Sequence, residues 1–245
     1  VSKINDKMNH VLKQYLLLTI LGISLLSCTR ELPDPVSTAQ LRMDFSSDAA
    51  GDMGWLADYS DYAIPQENLM EFESGRAMLP PPLPNDQFGF KLSGHNRSDD
   101  MFMFMYYSLT GLLPNREYTV TFDLEIASKY AANSVGIGGS PGSSVYLKVG
   151  AVGKEPKKEL LGDYYAMNIE KGQQSQGGPD MQVIGNIAIG DDKQEYELIN
   201  RNNSNEPFKG RTDSNGNLWL IIGTDSGFEG LTTIYFNKIN INVEL

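Results

Sequence analysis

The densest polar run of the chain is Ser93-Gly94-His95-Asn96-Arg97-Ser98-Asp99-Asp100. It precedes the apolar stretch Met101 to Leu109, so it sits at the rim of the core that this stretch enters. His95, Asn96, Arg97, Asp99 and Asp100 are candidate ligand-binding residues, because Arg with Asp offers donors and acceptors together, as sugar hydroxyls require. The same Asn and Asp side chains can instead satisfy their own backbone in a local turn. Trp55, Tyr59 and Tyr62 form a second candidate group, since an exposed ring stacks on the apolar face of a sugar. Capping one end of a core is their competing role. Asp123 and Glu125 lie two apart in YTVTFDLEIA. A strand would hold both carboxyls on one face, about 6–7 Å apart. Glycosidases use carboxyl pairs near that range, which makes these two the candidate catalytic residues. A solvated strand face explains the pattern equally simply.

Acids also crowd an early stretch, at Asp44, Asp48, Asp52, Asp58 and Asp61. Calcium takes roughly six to eight oxygens, which flexible acidic loops can supply; a solvated acidic surface is the alternative. Asp213-Ser214-Asn215-Gly216-Asn217 has a fragment of a calcium loop but lacks the later acid, so it reads as a hairpin turn. Asp225 to Gly230 reads as an acidic turn with glycines at positive φ. Trp219 alternates with Ile221 and reads as core.

Other chemistry is excluded. Beyond the leader the only histidine is His95 and the only cysteine is Cys28. Histidine-rich and cysteine-based metal sites therefore cannot be built. A Ser-His-Asp arrangement requires His95 as its base. The Gly-rich run from Gly136 to Ser144 lacks the Lys-Ser/Thr of a phosphate loop, which argues against a nucleotide. The net charge is -11, and a surface of that sign repels nucleic acid and anionic lipid.

The start of the chain carries its own signal. Lys3, Lys7 and Lys13 precede an apolar run from Tyr15 to Leu26, and Ser27 then precedes Cys28. This is the pattern of a secretory leader, and about a dozen apolar residues are too few for the roughly twenty of a membrane span. The placement of Cys28 after a small residue resembles the lipobox of bacterial lipoproteins. That resemblance implies acylation of Cys28 as the mature N-terminus and a lipid bilayer as partner. Thr29 rather than Asp follows, implying an outer-membrane destination if the cell has two membranes. Translation starts at Val1 or at Met8; both leave a workable leader. The domain plan is then a leader at 1–27, a Pro-rich tether at 28–39 and one domain at 40–245.

Period-two alternation dominates that domain and predicts an all-β, antiparallel β-sandwich of about ten short strands. Candidate strands are Leu41–Ser46, Leu69–Ser74, Phe88–Ser93, Met101–Leu109, Tyr118–Ala127, Val145–Ala151, Tyr164–Ile169, Gln194–Asn200, Leu218–Thr224 and Thr233–Val243. Met101–Leu109 is apolar on both faces, as a central, covered strand would be. Lys129–Asn133 and Glu155–Leu161 have room for one helical turn each. The stretches GLLPNREYTVTFDLEIAS and TTIYFNKININV resemble the turn-and-strand and closing strand of galactose-binding-like jelly rolls, including many carbohydrate-binding modules. FKLSGHNRSDDMFMFM and LWLIIGTDSGFEG resemble segments of uncharacterised bacterial lipoproteins. The first resemblance implies a structural calcium held by Asp44, Asp48 and Asn237, although Asn237 stands where an acid is usual. A glycan or an envelope protein is the partner expected, and non-catalytic binding is expected ahead of a structural or adhesin role or a carboxylate-dependent carbohydrate enzyme.

Overall fold

A computed structural model describes residues 34–47, 49 and 51–245. The leader and Cys28 lie outside the described residues. In chain order the strands are β1 (Thr38–Asp44), β2 (Leu56–Ser60), β3 (Tyr62–Ala63), β4 (Glu73–Met78), β5 (Phe88–His95), β6 (Phe102–Leu109), β7 (Glu117–Ser128), β8 (Val145–Val152), β9 (Lys158–Leu161), β10 (Tyr164–Met167), β11 (Met181–Asn186), β12 (Glu197–Asn202), β13 (Phe208–Arg211), β14 (Leu218–Ser226) and β15 (Leu231–Glu244).

One sheet has seven strands in the order β12-β7-β15-β5-β4, with β1 also paired to β15 and β13 to β7. The second has five, ordered β11-β8-β14-β6-β2, and a small third sheet is β3-β10-β9. From β5 to β8 the chain alternates between the two large sheets, as it does from β13 to β15. This is the antiparallel β-sandwich that the alternation predicts, in the jelly-roll form that the resemblance implies. Tyr118, Val120, Phe122, Leu124 and Ile126 of β7 point inward and are buried. They meet Met101, Met103 and Met105 from the β6 side, and Leu218, Leu220 and Ile222 of β14. The intervening threonines and acids of β7 face out, which is what a period of two requires.

β6 is apolar on both faces for a second reason. Residues 153–180, between β8 and β11, run over the outer face of the five-stranded sheet. Met167 and Ile169 from this insert pack on Phe102 and Phe104. Gly150 of β8 lets the insert approach, because a Cβ there would collide with the Asp180 carbonyl.

Several expectations are corrected by the fold. The tether expected to reach residue 39 joins the domain earlier. The Val36 amide donates to the Gly111 carbonyl at 2.9 Å, Tyr118 donates to the Val36 carbonyl, and β1 begins at Thr38. The strand expected at Leu69–Ser74 is displaced to β4 by a 3-10 turn over Ile64–Leu69, opened by Pro65, and by Glu71 at φ 49°. The loop expected around Trp55 and Tyr62 is strand on either side of Asp61. Glu155–Leu161 makes no helical turn but ends in β9, and Lys129–Asn133 forms only a turn. Asp225 belongs to β14 rather than to a turn, and Gly227 and Gly230 are not at positive φ.

Candidate functional site

The outer face of the five-stranded sheet carries a file of aromatic rings. Phe102, Phe104 and Tyr106 stand on alternate positions of β6, and Trp219 follows from the neighbouring β14. Successive centroids are 5.5, 5.9 and 6.0 Å apart. The insert roofs Phe102 and Phe104 completely, whereas Tyr106 and Trp219 stay half-buried. Trp219 therefore is not a residue of the inter-sheet core: alternation assigns its face, and that face is open here. On β2, Leu56 pairs with Tyr106 and is 56% exposed. Burial pushes the Tyr106 hydroxyl up, and the negative charges of Glu155 and Asp58 add to the effect.

The roofed end holds a network of charges. Lys148 of β8 and Asp225 of β14 are fully buried, with Nζ to Oδ2 at 2.7 Å. Lys148 also donates to the Lys171 and Gln176 carbonyls of the insert at 3.1 and 2.9 Å. Lys171 reaches Asp225 Oδ2 at 2.8 Å and Asp61 Oδ2 at 3.0 Å. Asp61 sits between β2 and β3 at φ 67°, a conformation Asp tolerates better than most residues. Burial pulls the Lys171 ammonium down, but Asp225, Asp61 and Asp100 outweigh it and hold it above the ordinary lysine range. For Lys148 burial wins and its affinity for a proton falls. Burial raises Asp61, against the pull of Lys171.

A cleft of about 570 Å³ opens on this network, lined in part by Asp61, Asp100, Tyr164, Lys171, Gln173 and Gln176. Burial pushes the Asp100 carboxyl up to about 7, with Lys171 opposing and the Asp225 and Asp61 charges reinforcing. Burial, then the carboxylates of Asp61 and Asp100, push Tyr164 to about 12. The cleft thus offers donors, acceptors and one ring in a small space.

The residues singled out from sequence are scattered among different roles. Of the rim loop, Asp100 lines the cleft and Asp99 is exposed, its carbonyl accepting from Gln174 Nε2. Asn96 is buried and fully used: its amide donates to the Ser226 and Phe228 carbonyls, and its oxygen accepts from Ser98 and Met101 amides. It holds the loop's shape and is unavailable to a ligand. Arg97 bonds the Leu69 carbonyl and Glu71, and His95 lies 3.5 Å from Glu71. Trp55 is 2% exposed and Tyr62 wholly buried, so neither presents a free ring. Tyr59 is half-buried, stacked on Tyr62 at 4.8 Å, with Lys158 Nζ 4.3 Å above its ring.

Asp123 and Glu125 face out from the seven-stranded sheet, away from the cleft. Asp123 is exposed and lies in register with Asn202 and Asn240; Glu125 accepts from Asn237 Nδ2 and pairs with Lys238 at 3.2 Å. That is a solvated strand face on which Glu125 is locally paired and Asp123 meets solvent. Of the calcium set, Asp44 caps the Ser46 amide, Asn237 donates through Nδ2 to Glu125 while its buried Oδ1 has no hydrogen-bond partner among the described residues, and Asp48 lies outside them. Among the described residues no group of three or more His, Cys, Asp or Glu is arranged to hold a metal. Asp213 accepts from Asn215 and Asn217, as an ordinary hairpin requires. Sequence reasoning passed over Tyr106, Lys148 and Lys171. The signal for Lys148 was present: it interrupts the apolar run VYLKVGA.

No family model matches the chain, and no curated protein matches it. Among solved structures it is similar to TmCBM27, a mannan-recognising carbohydrate-binding module, at 11% identity, 86% of this chain, 100% of that chain and a TM-score of 0.39. It is also similar to the K1 cleaved adhesin domain of Lys-gingipain from Porphyromonas gingivalis W83, at 9% identity, 83% and 97% coverage and a TM-score of 0.36. A third likeness is to the CBM22-1–GH10 modules of Clostridium thermocellum xylanase 10B, at 12% identity, 83% of this chain and a TM-score of 0.37; the chain spans 28% of that xylanase chain. At these identities and TM-scores the likeness is one of β-sandwich architecture and carries no argument about a ligand.

Proposed function

We propose that the domain is a non-catalytic glycan-binding module whose ligand lies across Tyr106 and Trp219. One observation carries this reading: two neighbouring rings, 6.0 Å apart, half-open on a sheet face beside the Asp58 and Glu155 carboxylates. Flat rings stack on the C–H face of a sugar, while flanking carboxylates accept from its hydroxyls. A small number of placed polar groups around an apolar platform is how such sites gain orientation. The reading extends to an export leader at 1–27 and an acylated Cys28 that anchors the module to a membrane of the cell envelope, the outer one if the cell has two.

Affinity electrophoresis against a panel of soluble polysaccharides tests the module. At least one polysaccharide retards the folded protein, and Tyr106→Ala or Trp219→Ala weakens that binding about tenfold or more, with circular dichroism unchanged. Each ring is worth on the order of 1–2 kcal/mol in this role. Retardation that survives both substitutions would exclude this face.

A further inference from the structure

The two carboxylate oxygens of Asp225 have opposite surroundings. Oδ2 accepts from Lys148 Nζ at 2.7 Å, Lys171 Nζ at 2.8 Å and the Gln174 amide at 3.0 Å. Oδ1 is buried and has no donor among the described residues, and the buried Oδ1 of Asp100 has none either. The charged and titratable groups that face Asp100 come from every side. They are Lys148 on β8, Tyr164 on β10, Asp225 on β14, Lys171 in the insert and Asp61 between β2 and β3. Three carboxylates thus meet two ammonium groups, one negative charge in excess at a largely dry site, where an uncompensated charge is costly. A proton on Asp100 removes the excess and supplies Asp225 Oδ1 with a donor.

We propose that Asp100 and Asp225 hold one proton between their Oδ1 atoms, and that this proton fastens loop 96–101 and the insert to the sheet, so the cleft is locked in acid and loosened in alkali. On loss the proton passes to water through the cleft that Asp100 lines. The Asp100 O–H bond breaks, and both carboxylates are left charged against each other. The loop is coupled to the insert directly, through Gln174 Nε2 donating to the Asp99 carbonyl at 2.9 Å. This inference stands whether or not Tyr106 and Trp219 bind a glycan.

The sign of the pH dependence follows. The folded chain keeps the Asp100 proton up to about pH 7, whereas the unfolded chain releases it in the ordinary carboxylate range. Between those limits the native state binds more protons, so stability falls as pH rises and levels off above the upper limit. Asp61, also raised by burial, contributes in the same direction.

Carbon-13 NMR of the aspartate carboxyls in the full-length chain tests the proposal directly. The Asp100 carboxyl titrates near neutrality. Asp100→Asn keeps an N–H donor for Asp225 without the charge. It therefore flattens the Asp100 part of the fall in melting temperature between the ordinary carboxylate range and about pH 7, leaving only the part that Asp61 contributes, and melts several degrees above the unaltered protein at pH 8. Amides 168–176 of the unaltered protein exchange faster at pH 8 than at pH 6, after correction for intrinsic rates, and those of Asp100→Asn do not. A normal Asp100 titration, or a fall in melting temperature as steep in Asp100→Asn as in the unaltered protein, would overturn the proposal. If the variant does not fold, the carboxyl titration alone decides.

Discussion

The Lys148 ammonium has no exposed surface and spends its three N–H bonds on Asp225 and two insert carbonyls. Burying a pair of charges stabilises a fold little in itself, but removing one partner strands the other. Lys148→Met keeps the apolar stem and deletes the charge, leaving Asp225 with one ammonium in place of two. The loss is about 3–5 kcal/mol, the range seen when a buried pair is broken, and it is read as a lower urea midpoint. An unchanged midpoint would show that the network is bystander chemistry. The same scale explains why residue type misled at Asn96 and Trp55. Both are types that ligand sites use, but one has its amide fully bonded by backbone and the other is enclosed in the core. Which partners a side chain finds depends on segments far away in sequence, here Ser226 and Phe228 for Asn96.

At the scale of elements, legibility followed the length of the alternation. β7 and β15, with twelve and fourteen residues, have buried faces that can be read straight from the sequence. β3, β9 and β13 have two to four residues, too few for any period to show. The insert was legible only at the strand expected over Tyr164–Ile169, which is β10; its course over the sheet was not, for a different reason. It has little repeating structure of its own and is fixed by contacts with distant segments: the pairing of β10 with β3, the apolar side chains of Met167 and Ile169, and the bonds of Lys148 and Lys171. Its presence is what turns the outer face of the five-stranded sheet into a roofed end and an open end. The continuous apolar run of β6 correctly indicated a covered strand, and the cover is this insert. Two rings, Tyr106 and Trp219, project beyond the roof, and alternation alone could not separate them from Phe102 and Phe104.

At the scale of the molecule, the described domain is a jelly-roll sandwich whose first strand starts only ten residues after Cys28. A stretch of ten residues spans at most about 35 Å, so an acylated Cys28 would keep the module close to its bilayer. Several acyl chains on one residue hold such an anchor where one chain would not. Replacing Cys28 with Ser should therefore abolish labelling by radioactive palmitate and move the protein from the membrane pellet to the soluble fraction. Persistent labelling would place the lipid elsewhere. The net charge of -11 suits a neutral polysaccharide partner better than a polyanion.

The chain has two tryptophans, Trp55 in the core and Trp219 on the open face. In a Trp55→Phe background the fluorescence of Trp219 alone reports on that face. Titration with a polysaccharide that the protein binds should shift the emission of Trp219 to shorter wavelength and shield it from iodide, both saturating with the binding curve. Saturable binding with Trp219 emission and quenching unchanged would contradict the account.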